Sequence, residues 1–182
     1  MKINGTIDLE TLDTKPSATI LSVGCVKFNP YDTQSEPYDA LYIKISVDDQ
    51  NKIHRTYSED TLAWWSKQDK SIMEEAFDQS QSLSCNQAAQ VISKWCNGVD
   101  ILWGQGYGFD FTILEDFFKA VNHPCPWNFW QLRDSRTLFK LLEQDPRKEM
   151  QQNLHNALED AYYQSKAIQV ACEKLEITKI SA

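Results

Sequence analysis

The chain has 182 residues, 42% hydrophobic and 24% charged, an ordinary composition for one globular domain spanning 1–182. Its net charge of −8 disfavours a broad electrostatic grip on nucleic acid, though not a cleft that takes one strand end with the help of cations. No apolar run approaches the roughly 20 residues of a membrane span, and "MKINGTIDLE" lacks a secretory core, so a cytoplasmic location and no membrane partner are expected.

Strands are predicted near 3–10, 18–28 and 40–47, the last two joined by the turn-rich "NPYDTQSEPYD". The acidic "SVDDQ" reads as solvated surface. "SEDTLAWWSKQ" opens with the capping residues Ser58 and Asp60 and reads as a helix. "SIMEEAFDQS" and "CNQAAQVISKWCNG" are two further helices, the second ending at Gly98. "VDILWGQG" is a buried strand broken by glycines, and "DFTILEDFFKAV" an amphipathic helix with Ile113, Leu114, Phe117 and Phe118 facing the core. "FWQLRDSRTLF" reads as a strand running into the helix "RTLFKLLEQ". The final helix, "NALEDAYYQSKAIQVACEKLE", carries Ala157, Ala161, Ile168 and Ala171 at helical spacing. Antiparallel strands followed by alternating strands and helices imply an α/β fold, a mixed central sheet flanked by helices.

Five scattered cysteines contain no CxxC pair and suggest neither a zinc site nor a disulfide framework; Cys25 and Cys172 fall in apolar stripes and read as small hydrophobes. A serine or cysteine hydrolase lacks any GxSxG-type nucleophile motif.

The acids carry more information. Asp8 and Glu10 are two residues apart in a strand and share one face. Asp110 opens a helix just after the turn "WGQGYGFD", and Asp160 lies in the last helix. Four carboxylates gathered at strand ends could not all ionise without cations between them, and hard oxygen donors favour Mg²⁺ or Mn²⁺. His155 precedes Asp160 by five residues. On a continuous helix that spacing separates the two side chains by about 140°. His155 must therefore sit before the helix or in its first turn, where a neutral imidazole would suit removing a proton from water.

"DLET", "GFD" and "HNALED" resemble the three motifs of the DnaQ-like (DEDD) 3′–5′ exonucleases, which have an RNase H-like fold; the H-x4-D spacing resembles the DEDDh branch. More narrowly, "IDLETLDTKPSATILSVGCVKFNP", "TLAWWSKQ" and "RDSRTL" resemble the group containing RNase AS and phage 3′–5′ exonucleases. The resemblance implies two divalent metal ions, Mg²⁺ or Mn²⁺, held about 3.5–4 Å apart. Asp8 would bridge them, Glu10 and Asp160 would complete one site, Asp110 would support the other, and His155 would be the general base. Products would be nucleoside 5′-monophosphates released from the 3′ end of single-stranded RNA or DNA. Thr11 and Leu12 would contact the terminal nucleotide. The related small exonucleases also imply a homodimer.

Without the other motifs, Asp8 and Glu10 would read as a solvated edge pair, Asp110 as a helix cap and Asp160 as a surface acid; Glu159 competes with Asp160 until the histidine spacing decides. His54 and His123 have no such context. Trp64 and Trp65 are adjacent and point about 100° apart on a helix, so one can enter the core while the other stacks on a base. Trp65 is the favoured stacking ring. Asp134 and Arg136 could pair with each other, while Arg133 or Arg136 could meet phosphate. The leading reading is a metal-dependent 3′–5′ exonuclease with a slight preference for RNA. The alternatives are a phage-type or proofreading exodeoxyribonuclease on the same site and a catalytically silent nucleic-acid-binding module.

Overall fold

A computed structural model describes residues 2–106, 108–150 and 155–180, leaving aside the side chain of Glu149. Tyr107 of the "WGQGYGFD" turn and Leu154, just before the "HNALED" motif, lie outside the described residues.

Five strands, β1 (Asn4–Thr11), β2 (Ile20–Phe28), β3 (Tyr38–Lys44), β4 (Ile101–Gly104) and β5 (Leu132–Asp134), form one sheet in the order β3-β2-β1-β4-β5. β1, β2 and β3 pair antiparallel, whereas β4 pairs parallel to both β1 and β5. Seven α-helices are described: α1 (Val47–Lys52), α2 (Glu59–Trp65), α3 (Lys70–Phe77), α4 (Cys85–Cys96), α5 (Asp110–Ala120), α6 (Ser135–Phe139) and α7 (Ala157–Lys174). The mixed sheet flanked by helices is the expected α/β class.

The two faces of the sheet differ in chemistry. Ile7, Leu9, Val23 and Cys25 join Ile92 of α4 and Phe111, Ile113, Leu114, Phe117 and Phe118 of α5 in the largest apolar cluster. On the opposite face α7 presents Ala167, Ile168, Ala171 and Cys172 to Phe28, Ile101 and Trp103. The period-2 alternation of β1 sends Asn4, Thr6, Asp8 and Glu10 to this second face. The polar row has specific partners at its first half: Asn4 Oδ1 accepts from Trp103 Nε1 at 3.0 Å, and Thr6 Oγ1 donates to the carbonyl of Ala161 at 2.9 Å. The first bond ties β1 to β4, and the second moors α7 along β1.

Gly24, opposite Asp8 on β2, sets the separation. A Cβ there would lie 2.1 Å from the backbone carbonyl of Ala157, so only glycine lets the first turn of α7 approach the acid-bearing part of β1 this closely.

Two sequence readings need correction here. "SVDDQ" is not simply solvated: Ser46 caps α1, and the buried Gln50 pairs with the backbone of Ile20, accepting from its N–H at 2.8 Å and donating to its carbonyl at 2.7 Å. An amide side chain thus extends the sheet ladder beyond β3. The helix expected over "RTLFKLLEQ" stops at Phe139: beyond it the chain tightens into i→i+3 turns, Leu141 N–H to Leu138 and Leu142 N–H to Phe139, which set Leu142 on the second apolar cluster and leave Leu141 67% exposed. Arg55, buried within "HRTYS", carried no sequence signal. It donates to the Ala18 carbonyl and meets Asp116 of α5 at 2.7 Å, bracing the entry to β2 against that helix.

Candidate active site

A cleft of about 800 Å³ opens where the C-terminal end of β1 meets the start of α7. Asp8, Glu10, Thr11, Trp64, His155 and Asp160 line it, together with Gln105, Phe109, Arg147 and Gln164. The volume suits a nucleotide-sized ligand.

Each acid arrives by a different local device. Asp8 and Glu10 come from the alternation of β1. Asp110 begins α5 directly after the turn that leaves β4; it is buried, and its carboxylate accepts the backbone N–H groups of Leu9 and Gln105. It therefore stands behind Asp8 rather than on the cleft wall. Asp160 lies in the first turn of α7, where its Oδ2 accepts the backbone N–H of His155 at 3.0 Å.

His155 sits outside the helix, as its spacing requires. Asn156 is the N-cap, and its side chain accepts from the N–H groups of Leu158 and Glu159. His155 adopts φ +72°, a left-handed conformation that is strained for a residue with a side chain, held by the Asp160 bond. That backbone turns the imidazole into the cleft, edge-to-face on Trp64 with ring centroids 4.7 Å apart. Ligating atoms of Glu10, His155 and Asp160 lie within 4.8 Å of one another.

The electrostatics are those of crowded, desolvated carboxyls. Burial, then the charges of Asp110, Asp160 and Glu10, pushes Asp8 well above the usual carboxylate range. Burial and neighbouring acids raise Glu10 to about 8. Burial raises Asp110 to about 7 against the N–H groups it accepts, and Asp160 to about 6 against its bond from His155. Burial lowers the pKa of His155, which keeps its imidazole neutral and able to accept a proton near pH 7. Gln164, one helical turn beyond Asp160, is 2% exposed and lines the same cleft with neither side-chain polar atom hydrogen-bonded. A set of hard oxygens that repel one another, beside an amide with two unmet bonds, fits divalent cations and their hydration.

The substrate contacts read from sequence divide. Thr11 and Trp64 line the cleft, and Trp64 is 40% exposed. Trp65, the favoured ring, does not: it is 1% exposed, and its Nε1 donates to the Thr11 carbonyl at 2.9 Å. The phase of α2, set by that bond, turns Trp65 inward and its neighbour outward. Leu12 is likewise removed, packed at 6% exposure with Leu21, Trp65 and Ala76, with its N–H and carbonyl bonded to Thr19 and Ser58. Arg136 lies outside this cleft, beside a second, smaller cavity. Asp134 forms no ion pair with it; its Oδ1 accepts the backbone N–H groups of Arg136 and Gly106 instead. Gln164 and Arg147 were missed, and the i+4 relation of Gln164 to Asp160 was the available signal.

The family model for the Rv2179c-like 3′–5′ exoribonuclease domain matches residues 4–172. The chain belongs to this family. Its fold is shared with solved DEDDh exonucleases. Exonuclease I from Methylocaldum szegediense superposes with a TM-score of 0.68 at 11% identity, covering 97% of this chain and 42% of that one. The nuclease domain of 3′hExo, a DEDDh family member bound to rAMP, gives 0.63 at 13% identity, covering 100% and 96%. E. coli exonuclease I in complex with a dA16 oligonucleotide gives 0.62 at 14% identity, covering 96% and 42%. The chain thus spans less than half the length of the exonuclease I proteins. No curated protein matches the sequence. This Rv2179c-like chain is therefore a 3′–5′ exonuclease domain, and it shares its RNase H-like fold with the DEDDh nuclease domain of 3′hExo.

Proposed function

We propose that this domain hydrolyses single-stranded nucleic acid from the 3′ end, RNA in preference to DNA, and releases nucleoside 5′-monophosphates. The observation that carries the reading is the meeting of Asp8, Glu10, Asp160 and the His155 imidazole in one cleft walled by an exposed indole. The family model, an exoribonuclease domain, supports RNA. A DNA substrate is the second reading, favoured by the fold shared with exonuclease I bound to a dA16 oligonucleotide.

Asp8, Glu10, Asp110 and Asp160 would hold two divalent cations, Mg²⁺ or Mn²⁺, whose charge offsets that of the phosphate and of the departing 3′ oxygen. The chain's own groups do the rest. Trp64 offers its ring to the terminal base, a sequence-tolerant contact worth roughly 1–3 kcal/mol. Thr11 borders the sugar from the cleft wall, its hydroxyl held by the Asp13 carbonyl at 2.7 Å. His155, neutral and close to Glu10 and Asp160, accepts the proton of the attacking water. The P–O3′ bond then breaks, and the terminal nucleoside 5′-monophosphate leaves. Pairing of two copies follows the same resemblance, and gel filtration at micromolar concentration checks it.

Initial rates on RNA and DNA of one sequence, with Mn²⁺, test the substrate; a higher kcat/KM on RNA is expected, and the reverse order would favour the DNA reading. His155→Ala tests the base. It should lower kcat by on the order of 10²–10⁴ while Mn²⁺ affinity holds. A collapse of affinity instead would make His155 a ligand.

A further inference from the structure

The "RDSRT" segment finds no use in the chemistry described above, yet the structure builds it with care. Asp134 Oδ1 accepts two backbone N–H groups, from Arg136 at 2.8 Å and from Gly106 at 3.2 Å. One carboxylate oxygen therefore clasps the start of α6 to the turn that follows β4. The Arg136 side chain lies back across that turn, its Nη2 donating to the Gln105 carbonyl at 3.1 Å. Gly106 makes the arrangement possible. Its φ is +112°, and a Cβ there would stand 3.4 Å from Arg136 Nη2, tight against the guanidinium.

Arg136 is exposed and has no carboxylate partner among the described residues. The arginine that lines the main cleft, Arg147, differs: Asp145 already holds it, at 2.6 Å. A guanidinium with one donor on a carbonyl keeps a planar face of N–H groups for an external anion. It borders a cavity of about 450 Å³ with Gln105, Gly106, Gly108 and Phe109. Gln105 and Phe109 also line the main cleft, so the two cavities adjoin across these residues. Arg136 holds the Gln105 carbonyl, Gln105 lines the main cleft, and a Cβ on the adjoining Gly104 would stand 3.1 Å from Asp110 Oδ2, so the guanidinium is anchored to the turn beside the acids.

We propose that Arg136, held over Gly106 by Asp134, is a phosphate subsite that grips the internucleotide phosphate one step upstream of the scissile bond. This rests on the exonuclease reading. With the terminal nucleoside against Trp64 and the scissile phosphate over the acids, the rest of the strand leaves past Gln105 and Phe109, and its next phosphate meets the guanidinium. The subsite reads charge, not base, and makes substrates with a second phosphodiester better than those with one.

The test compares a dinucleotide, which has only the scissile phosphodiester, with a trinucleotide of matching 3′ sequence. Wild type, Arg136→Gln and Arg136→Lys are assayed with Mn²⁺. Wild type should prefer the trinucleotide. Arg136→Gln should raise KM on the trinucleotide about tenfold, leave kcat/KM on the dinucleotide nearly unchanged and so erase the preference. Arg136→Lys should recover part of it, and the slope of log KM against log salt should fall by about 0.7 in the glutamine variant. Equal losses on both substrates would mean that Arg136 acts through Asp110 and would overturn the subsite, as would an unchanged trinucleotide KM. Wild type inactive on both substrates would overturn the exonuclease reading and the subsite with it.

Discussion

The two faces of β1 make opposite uses of one strand. Ile7 and Leu9 are buried against α4 and α5, where matching apolar surface makes burial favourable. Asp8 and Glu10, one residue out of phase, are drawn under α7 among other acids, where burial is costly and raises their pKa values. The first face holds the fold together. The second is kept in place by it, through the mooring of Thr6 to Ala161 and the close approach at Gly24, and stores repulsion that cations can relieve. Strain concentrated beside His155 and stability concentrated under Leu9 thus lie one strand thickness apart.

Substitutions on either side of that strand should fail in different ways. Asp8→Asn should lower kcat by on the order of 10³ or more while the metal-free protein melts no lower than wild type, since a repelled charge has been removed. Leu9→Ala should instead cost about 2–5 kcal/mol of stability, read by denaturant melts, with kcat per folded molecule within a few fold. Comparable losses of stability in both would erase the distinction between the faces.

The tandem tryptophans repeat the contrast on one helix. Trp65→Ala should destabilise by about 3–5 kcal/mol, as expected for a buried ring whose Nε1 holds Thr11. Trp64→Ala should leave the melting temperature nearly unchanged and raise KM roughly tenfold, the loss of one stacked base.

The smallest effect is one of pH. In the folded, metal-free chain Glu10, Asp110 and Asp160 titrate at about 8, 7 and 6, raised above their ordinary carboxyl values. The folded state then keeps protons that the unfolded chain releases near pH 4, so stability is full below about pH 4 and drains as pH rises through 6 to 8. Chelated protein should melt on the order of 5 °C lower at pH 8 than at pH 5.5, and Mn²⁺ at pH 8 should restore the difference. A metal-free melting temperature that rises over this range would contradict the charge repulsion.

Much of this was legible from residue order because it follows from period and spacing. Alternation placed Asp8 and Glu10 on one face, the core positions of α5 are those its spacing marks, and the five-residue step from His155 to Asp160 excluded a shared helix face. What escaped depends on contacts between distant segments. Helix phase decides which tryptophan turns inward, and that phase is set by Thr11, 54 residues away from Trp65. Gln50 reads as a surface residue of an acidic stretch until Ile20 is seen to need its amide. The guanidinium of Arg55 and the clasp of Asp134 likewise have meaning only once the chain has folded back on them.

The most direct measurement is the first product released from one RNA strand labelled at either its 3′ or its 5′ end, with Mn²⁺, by wild type and Asp8→Asn. Wild type should release the 3′ label at once as a nucleoside 5′-monophosphate, keep the 5′ label on a shrinking strand, and do neither in chelator or with Asp8→Asn. Early release of the 5′ label, or activity that survives chelation or the Asp8 substitution, would contradict the assignment of this acid cluster as a 3′–5′ exonuclease centre.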